Sequence, residues 1–446
     1  MSGDTVCGYE LGSVHGSLRA RLIKGLGANL VGQLINLLSR LALPPLFLRA
    51  WGVEIYGEWL LMSSFVAYLS LSDMGGQLYV VNRLTQAHAS RDMDLFRTLL
   101  RTGLAVFLVM PTIFFFGFVL FINLYHVESI FGIVKTSHQE VLWVLIVLAF
   151  QFLFSLPQGI LLGVYRAIGM YPRGVMLGNL ISLLQLVMTA LLLWEKSSMM
   201  LIAGVQVVPY VVVAVVALID LEKLFPELQV CSLKGASFRI ALSFARPSSY
   251  FLIIQLALMV SIQGTLLAVG AALGSAQVVL FGVLRTMVFS ARQILGLLSH
   301  PVWPEITRLD ALGEKVKLRG VFMMVFITTM LAAIAISAIL HFFGKELFLL
   351  WLRNKVPYSQ SAMDMFLAYA VLNVFWTTCS HLPMALNRHA SLAKLSLLAS
   401  VSSVVLAYVG GVNFGLVGAV AGMLIGEAIF VTWHIPLLVW RYLKNV

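Results

Sequence analysis

The chain has 446 residues, of which 60% are hydrophobic and only 11% are charged, and its mean hydropathy is +0.95. A soluble globular protein is about 45–50% apolar and about 25% charged, so a chain this apolar has lipid as its main solvent. The net charge of +11 is spread over short loops beside anionic lipid, which argues against a nucleic-acid partner. We expect an all-α, polytopic membrane protein surrounded by membrane lipids.

The polar N-terminus lacks the apolar stretch of a signal peptide, so we expect it to stay in the cytoplasm. Cys7, Cys231 and Cys379 lie far apart and show no metal-ligand spacing, so we expect three ordinary thiols and no metal site.

Apolar runs long enough to cross a ~30 Å hydrocarbon core recur twelve times. The predicted spans are 25–47, 57–81, 101–123, 140–163, 174–194, 199–219, 243–269, 276–299, 320–342, 363–386, 391–411 and 414–440. These divide the chain into a cytoplasmic segment (1–24), an N-lobe (25–219), a cytoplasmic linker (220–242), a C-lobe (243–440) and a cytoplasmic tail (441–446). The longest predicted outer loop covers about 344–362.

Most of the 30 Lys and Arg residues fall in alternate loops, on the side of the N-terminus. The loops predicted outside hold only Arg49, Lys135, Lys196, Lys345, Arg353 and Lys355. By the positive-inside rule both termini are cytoplasmic.

Weak self-similarity indicates that the two lobes are repeats. "AWGVEIYG" before span 2 resembles "AALGSAQVVLFG" before span 8, and "YRAIGMY" after span 4 resembles "ALNRHAS" after span 10. Because six spans are an even number, both repeats enter the membrane from the same side, and a substrate site is expected in a central cavity between them. Chance similarity between apolar helices is the alternative interpretation.

Span 1 carries a polar stripe. Asn29, Gln33, Asn36 and Arg40 follow an i, i+4, i+7, i+11 pattern and therefore share one helix face. Either the amides bond neighbouring helices or the stripe lines a cavity, and the fixed charge of Arg40 favours the cavity.

Span 8 contains Arg285 and Arg292, two turns apart on one face. One arginine at a helix centre costs about 2.5–3.5 kcal/mol on an insertion scale, so both are expected to face protein or water. Structural pairing with Asp73 or Glu427 is one interpretation. The other is a cationic cavity that holds phosphate, shared with Arg40, with Asn29, Gln33 and Asn36 beside it.

Asp73 in span 2 and Glu427 in span 12 are candidates for gating or proton coupling, although Asp73 could equally cap a helix beside Gly75 and Gly76. His341, His381 and His434 are interpreted as packed side chains that neighbours satisfy. The sequence contains no nucleotide-binding GxxxxGK[ST], HExxH or GxSxG motif, and its outer loops are short, so we predict a transporter and not an enzyme.

One stretch, "YGEWLLMSSFVAYLSLSDMGGQLYVVN" (56–82), resembles the signature of bacterial polysaccharide-repeat-unit (O-antigen) flippases of the multidrug/oligosaccharidyl-lipid/polysaccharide exporter superfamily. The matching positions are Tyr56, Gly57, Trp59, Tyr68, Leu69, Leu71, Asp73, Gly75 and Asn82. "HPVWPEITRL" (300–309) and "FGLVGAVAG" (414–422) resemble further elements of that family. Gln77 departs from its pattern.

The resemblance implies a two-lobed bundle that alternates between inward-open and outward-open states in the bacterial inner membrane. It also implies a substrate on an undecaprenyl-diphosphate carrier, polysaccharide polymerase machinery as a partner, and no cofactor beyond coupling to protons or another cation. Two alternatives remain, a cation-coupled multidrug exporter of the same superfamily and a flippase for another lipid-linked anionic precursor.

Overall fold

The computed structural model describes residues 18–73, 76–125, 127–230, 232–299, 309, 314–385 and 390–444. Within these ranges the chain is helical, and no strand is assigned there. The helices form two lobes with six membrane crossings each, as predicted. The "HPVWPEITRL" element lies outside the described residues, except for its last position.

The N-lobe crossings begin with one long helix, and the second and sixth crossings are interrupted. Its helices are α1 (Leu18–Ala50), α2 (Gly52–Ala67), α3 (Gly76–Ala89), α4 (Met93–Leu124), α5 (Val127–Phe131), α6 (His138–Ala167), α7 (Tyr171–Trp194), α8 (Met199–Val205) and α9 (Val208–Leu224). A 3₁₀ segment, Tyr68–Asp73, follows α2.

The C-lobe repeats this order with two π-helical turns, at Val260–Gly264 and Ala428–Thr432. Its helices are α10 (Phe238–Met259), α11 (Thr265–Leu273), α12 (Ser275–Ser299), α13 (Lys315–Leu352), α14 (Gln360–Ala385), α15 (Ala390–Glu427) and α16 (His434–Lys444).

By length and apolar composition, 9 helices of the described part can cross a membrane. The remaining crossings have physical reasons for falling short. The α2–α3 crossing is broken by the 3₁₀ segment, the apolar part of α12 is short at Ser275–Ser290, and Leu392–Tyr442 counts as one helix although it folds back on itself.

Some predicted boundaries differ from the observed helices. The helix α13 continues to Leu352, so the outer loop predicted at about 344–362 is reduced to 353–359. The linker predicted at 220–242 lies between the end of α9 at Leu224 and the start of α10 at Phe238. Apolarity underestimates helix length where charged residues continue a helix beyond the hydrocarbon.

The fold-back of α15 explains the small residues near the C-terminus. Phe414 and Gly415 leave the helical conformation, and Gly415 has φ of +64°, which only glycine adopts readily. A Cβ atom on Gly410 would lie 2.1 Å from the carbonyl oxygen of Gly418, and one on Gly422 would lie 2.2 Å from that of Leu406. These glycines let the last two crossings pack backbone to backbone.

The lobes share one apolar core at the predicted outer end and have separate cores at the predicted inner end. The shared core contains Leu61 of the N-lobe and Phe281 of the C-lobe, both with 0% exposure. The inner core of the N-lobe includes Phe96 and also takes in Phe244 from α10, whereas that of the C-lobe includes Phe322. This distribution gives a V-shaped molecule that is joined at the predicted outer end.

The helices α2 and α12 occupy equivalent places in the two repeats and pack directly against each other. A Cβ atom on Gly57 would lie 2.0 Å from the carbonyl oxygen of Ser275, and one on Gly270 would lie 2.2 Å from the Cδ2 atom of Leu61. Each helix follows a glycine with positive φ, Gly52 at +76° and Gly274 at +81°. The repeat seen weakly in "AWGVEIYG" and "AALGSAQVVLFG" therefore corresponds to a matched pair of turns.

Two further hydrogen bonds join the lobes at this end. The indole Nε1 of Trp351 donates to the carbonyl oxygen of Leu41 at 2.6 Å, and Nζ of Lys355 donates to that of Leu48 at 3.2 Å. Both acceptors belong to α1 and both donors come from the end of α13 and the loop that follows.

Glu58, in the same motif as Gly57, holds an N-lobe loop at the predicted outer end. Its side chain is fully buried and accepts hydrogen bonds from the backbone N–H groups of Val134, Lys135 and Thr136 at 2.7–2.9 Å, and from the Thr136 hydroxyl. A buried carboxylate is tolerated here because every nearby donor points at it.

We predict that Gly57→Ala lowers the free energy of unfolding by about 1–3 kcal/mol, because the added methyl group meets backbone that cannot rotate away. Thermal unfolding of the purified protein in detergent measures this. Gly27→Ala is the matched control, since a Cβ atom there meets nothing within 4 Å. Equal stability of the two variants would contradict the close contact of α2 and α12.

Candidate functional site

A cavity of about 660 Å³ lies where α1 of the N-lobe faces the C-lobe. Its described walls come from α1, α10, α12, α14 and α15. Arg40, Arg285 and Glu427 all line it. The structure thus brings together one predicted arginine from each lobe and one predicted carboxylate.

Arg285 is positioned by a π turn in the neighbouring crossing. Its Nη1 atom donates to the carbonyl oxygen of Ile262 at 2.7 Å and lies 3.4 Å from the Thr265 hydroxyl. Ile262 belongs to the π turn Val260–Gly264, where the normal i→i+4 hydrogen-bond ladder is interrupted. One nitrogen of the guanidinium is therefore used for structure, and Phe281 lies 5.3 Å from the guanidinium carbon, measured to the ring centre.

Arg40 is exposed on α1 and approaches from the other lobe. Its charge is near enough to that of Arg285 for the two to interact. Two like charges that face one cavity create a positive potential that favours a bound anion.

Glu427 is 5% exposed and is held by three side chains of α14. Tyr369 donates its hydroxyl to one carboxylate oxygen at 2.7 Å, Trp376 donates its indole N–H to the other at 2.7 Å, and Asn373 Nδ2 lies 2.9 and 2.8 Å from the two. The second π turn, Ala428–Thr432, begins directly after Glu427. This carboxylate orients the α14 wall of the cavity.

The amides predicted to accompany Arg40 lie outside this cavity wall. Asn29 and the Tyr171 hydroxyl are within 3.2–3.3 Å of each other, Asn36 donates to the carbonyl oxygen of Gly32 in its own helix at 3.0 Å, and Gln33 is exposed. For Asn29 and Asn36, bonds within the lobe are what the structure reports. A role for the three amides in substrate binding stays a prediction.

Asp73 lies in the N-lobe at the break between α2 and α3, away from the cavity wall. Its Oδ1 atom accepts the backbone N–H of Gln77 at 3.1 Å, which confirms the interpretation as a local cap. Gly75 and the side chain of Arg292 lie outside the described part of the chain, so the role of Arg292 also stays a prediction.

The remaining polar predictions fall in several places. His381 lines the cavity, whereas His341 lies 2.7 Å from Asp364 through its Nδ1 atom and His434 packs against Trp433. Among the described residues, no group of three or more His, Cys, Asp or Glu side chains could hold a metal ion. Cys379 is a buried free thiol, and Cys7 and Cys231 lie outside the described residues.

Sequence reasoning missed the wall that α14 contributes. Tyr369, Asn373, Trp376, Thr377 and Ser380 all line the cavity, and they recur at intervals of three or four residues. That spacing was visible in "YAVLNVFWTTCSHL", where polar and aromatic residues share one helix face.

No family model and no curated protein matches the sequence. Solved structures match over nearly the whole chain. An inward-facing multidrug resistance MATE family transporter of the MOP superfamily has a TM-score of 0.70 at 17% identity, covering 95% of this chain and 98% of that one. The lipid II flippase MurJ in an inward closed conformation has a TM-score of 0.71 at 11% identity, covering 94% and 87%.

An outward-facing MATE family transporter has a TM-score of 0.59 at 16% identity, covering 97% of each chain. At these identities the comparisons establish the fold alone. The chain has the two-lobed, twelve-crossing fold of these transporters and is a multi-pass membrane protein.

We predict that Glu427→Gln lowers the free energy of unfolding by about 1.5–3 kcal/mol, the value of a hydrogen bond to a charged group. The new amide would point an N–H group at donors from α14, and it would lose the charge that they stabilise. Thermal unfolding measures the change against Glu346→Gln, an exposed glutamate of α13. A Glu427→Gln variant as stable as that control would contradict the hydrogen-bonded arrangement.

Proposed function

We propose that this protein is a flippase that moves undecaprenyl-diphosphate-linked oligosaccharide repeat units across the bacterial inner membrane for O-antigen or surface polysaccharide synthesis. The observation that carries the proposal is that Arg40 of one lobe and Arg285 of the other line the same cavity. Both termini are cytoplasmic in this proposal, the polymerase machinery receives the product, and no covalent bond of the substrate is made or broken.

Phosphate chemistry accounts for the pair of arginines. A guanidinium presents parallel N–H groups that match two oxygens of a phosphate, and its charge persists at every relevant pH. In a diphosphate, each phosphoryl group can meet one guanidinium, while the prenyl chain remains in the surrounding lipid.

The division of the arginines between lobes supports alternating access. A ligand shifts a conformational balance only by its difference in affinity for the two states. When the lobes rock, the distance between Arg40 and Arg285 changes, and so does the affinity for a diphosphate that spans them. Rocking towards an outward-open state also requires the bonds of Trp351 and Lys355 to α1 to break.

Coupling to protons or another cation is assigned to Glu427 or Asp73. Glu427 supports this role best, because it lines the same cavity as the arginines and its partners all lie on α14. A change in its charge would alter the orientation of that cavity wall.

Two other transport functions are alternatives. Similarity to multidrug MATE transporters favours a cation-coupled drug exporter, and similarity to the lipid II flippase favours another lipid-linked anionic precursor. A cationic drug suits the cavity poorly, because two arginines face it and the Glu427 carboxylate already accepts bonds from three side chains.

Deletion of the gene tests the function directly. We expect surface glycan to be lost and lipid-linked repeat units to accumulate on the inner leaflet, both restored by the wild-type gene. Normal glycan with altered drug tolerance would support the exporter instead, and accumulation of a different lipid-linked precursor would support the second alternative.

Arginine variants test the site. We predict that Arg40→Lys and Arg285→Lys each reduce transport about tenfold, because a two-pronged contact becomes a point charge at a cost near 1.4 kcal/mol. Arg319→Lys, at an exposed position of α13, is the matched control. Full transport by an Arg40→Ala/Arg285→Ala/Arg292→Ala variant would contradict the phosphate site.

A further inference from the structure

The cavity has a second region, lined by hydroxyl groups of α14 and α15. Thr377, Ser380, Ser396 and Ser400 all line it, and Ser380 and Ser400 are each 7% exposed. Ser380 lies 11 residues beyond Tyr369 on α14, which is about 16 Å along the helix towards the predicted inner end. We call Thr377, Ser380 and Ser400 the hydroxyl wall.

Each hydroxyl of this wall already donates its hydrogen to a carbonyl oxygen of its own helix. Thr377 donates to Asn373 at 2.6 Å, Ser380 to Thr377 at 2.6 Å and Ser400 to Ser396 at 2.8 Å. A carbonyl oxygen cannot donate, so the hydrogen of each pair must come from the hydroxyl. What remains is the pair of lone pairs on each hydroxyl oxygen.

The hydroxyl wall therefore offers acceptors to the cavity, whereas the arginine end offers donors. Phosphate oxygens accept hydrogen bonds, so they are matched by the arginines and repelled by the hydroxyl wall. Sugar hydroxyls and acetamido N–H groups can donate, so they are matched by the hydroxyl wall.

Trp376 lies between these two regions with its ring fixed in place. Its indole N–H donates to Glu427 at 2.7 Å, and the residue lines the cavity. A fixed, flat aromatic face of this kind can pack against the apolar face of a sugar ring. Glu427 thereby acts as a positioning residue for Trp376.

We propose that the hydroxyl wall, with Trp376, is a glycan subsite that binds the first sugars of a lipid-linked oligosaccharide while Arg40 and Arg285 hold its diphosphate. This inference rests on the proposed function and extends it to the orientation of the substrate. In this state the diphosphate lies deeper in the membrane than the glycan, and a carrier without sugar fills only half of the site.

The test compares two probes on the full-length protein in lipid nanodiscs. These are undecaprenyl diphosphate and undecaprenyl diphosphate carrying N-acetylglucosamine, with affinities measured by native mass spectrometry. We predict that Ser380→Ala/Ser400→Ala weakens binding of the sugar-bearing lipid about tenfold, the effect of losing hydrogen bonds worth about 0.5–1.5 kcal/mol each. Binding of the bare diphosphate stays unchanged.

Thr112→Ala/Thr328→Ala is the matched control. Both threonines donate to a carbonyl oxygen four residues earlier, at 2.7 and 2.9 Å, and both are on exposed faces outside the cavity. This variant should bind both probes as the wild type does.

Equal affinities of the Ser380→Ala/Ser400→Ala variant and the wild type for the sugar-bearing lipid would overturn the glycan subsite. So would an equal loss of affinity for both probes. Failure of the proposed function has a different result, in which the wild-type protein binds neither probe and Arg285→Ala has no effect.

Discussion

The permanent charge of Arg285 in the middle of an apolar helix is the constraint around which this site is organised. Placing the guanidinium in lipid costs about 2.5–3.5 kcal/mol on an insertion scale, so the surrounding helices must supply oxygen atoms or water. The π turn of the neighbouring crossing supplies the carbonyl oxygen of Ile262, and the cavity supplies the remaining space. Glu427 stands on the opposite wall, beside the second π turn of the lobe.

The lobe contacts give this charge its mechanical meaning. A shared apolar core and the Gly57–Ser275 contact hold the lobes together at the predicted outer end, whereas the inner ends have separate cores. Arg40 belongs to one lobe and Arg285 to the other, so a ligand that bridges them is sensitive to how far the lobes have rocked. A binding site on one lobe alone would lack this sensitivity.

The twelve crossings, the pairing of the repeats and the meeting of Arg40 with Arg285 follow from hydropathy, loop charge and helix depth. The π turns do not, because they depend on side chains from other helices that stabilise an interrupted hydrogen-bond ladder. Periodicity also misplaced Asn29 and Asn36 relative to the observed cavity wall, because it gives a shared face but not the neighbour that the face meets. Trp376 was missed since its role depends on Glu427, 51 residues away in the chain.

A cryo-electron microscopy structure of the protein with an undecaprenyl-diphosphate-linked oligosaccharide tests the central claim most directly. The account predicts density for the two phosphorus atoms between the guanidinium groups of Arg40 and Arg285, with the prenyl chain leaving towards lipid. Diphosphate density elsewhere on the protein, with the space between these arginines unoccupied by substrate, would contradict it.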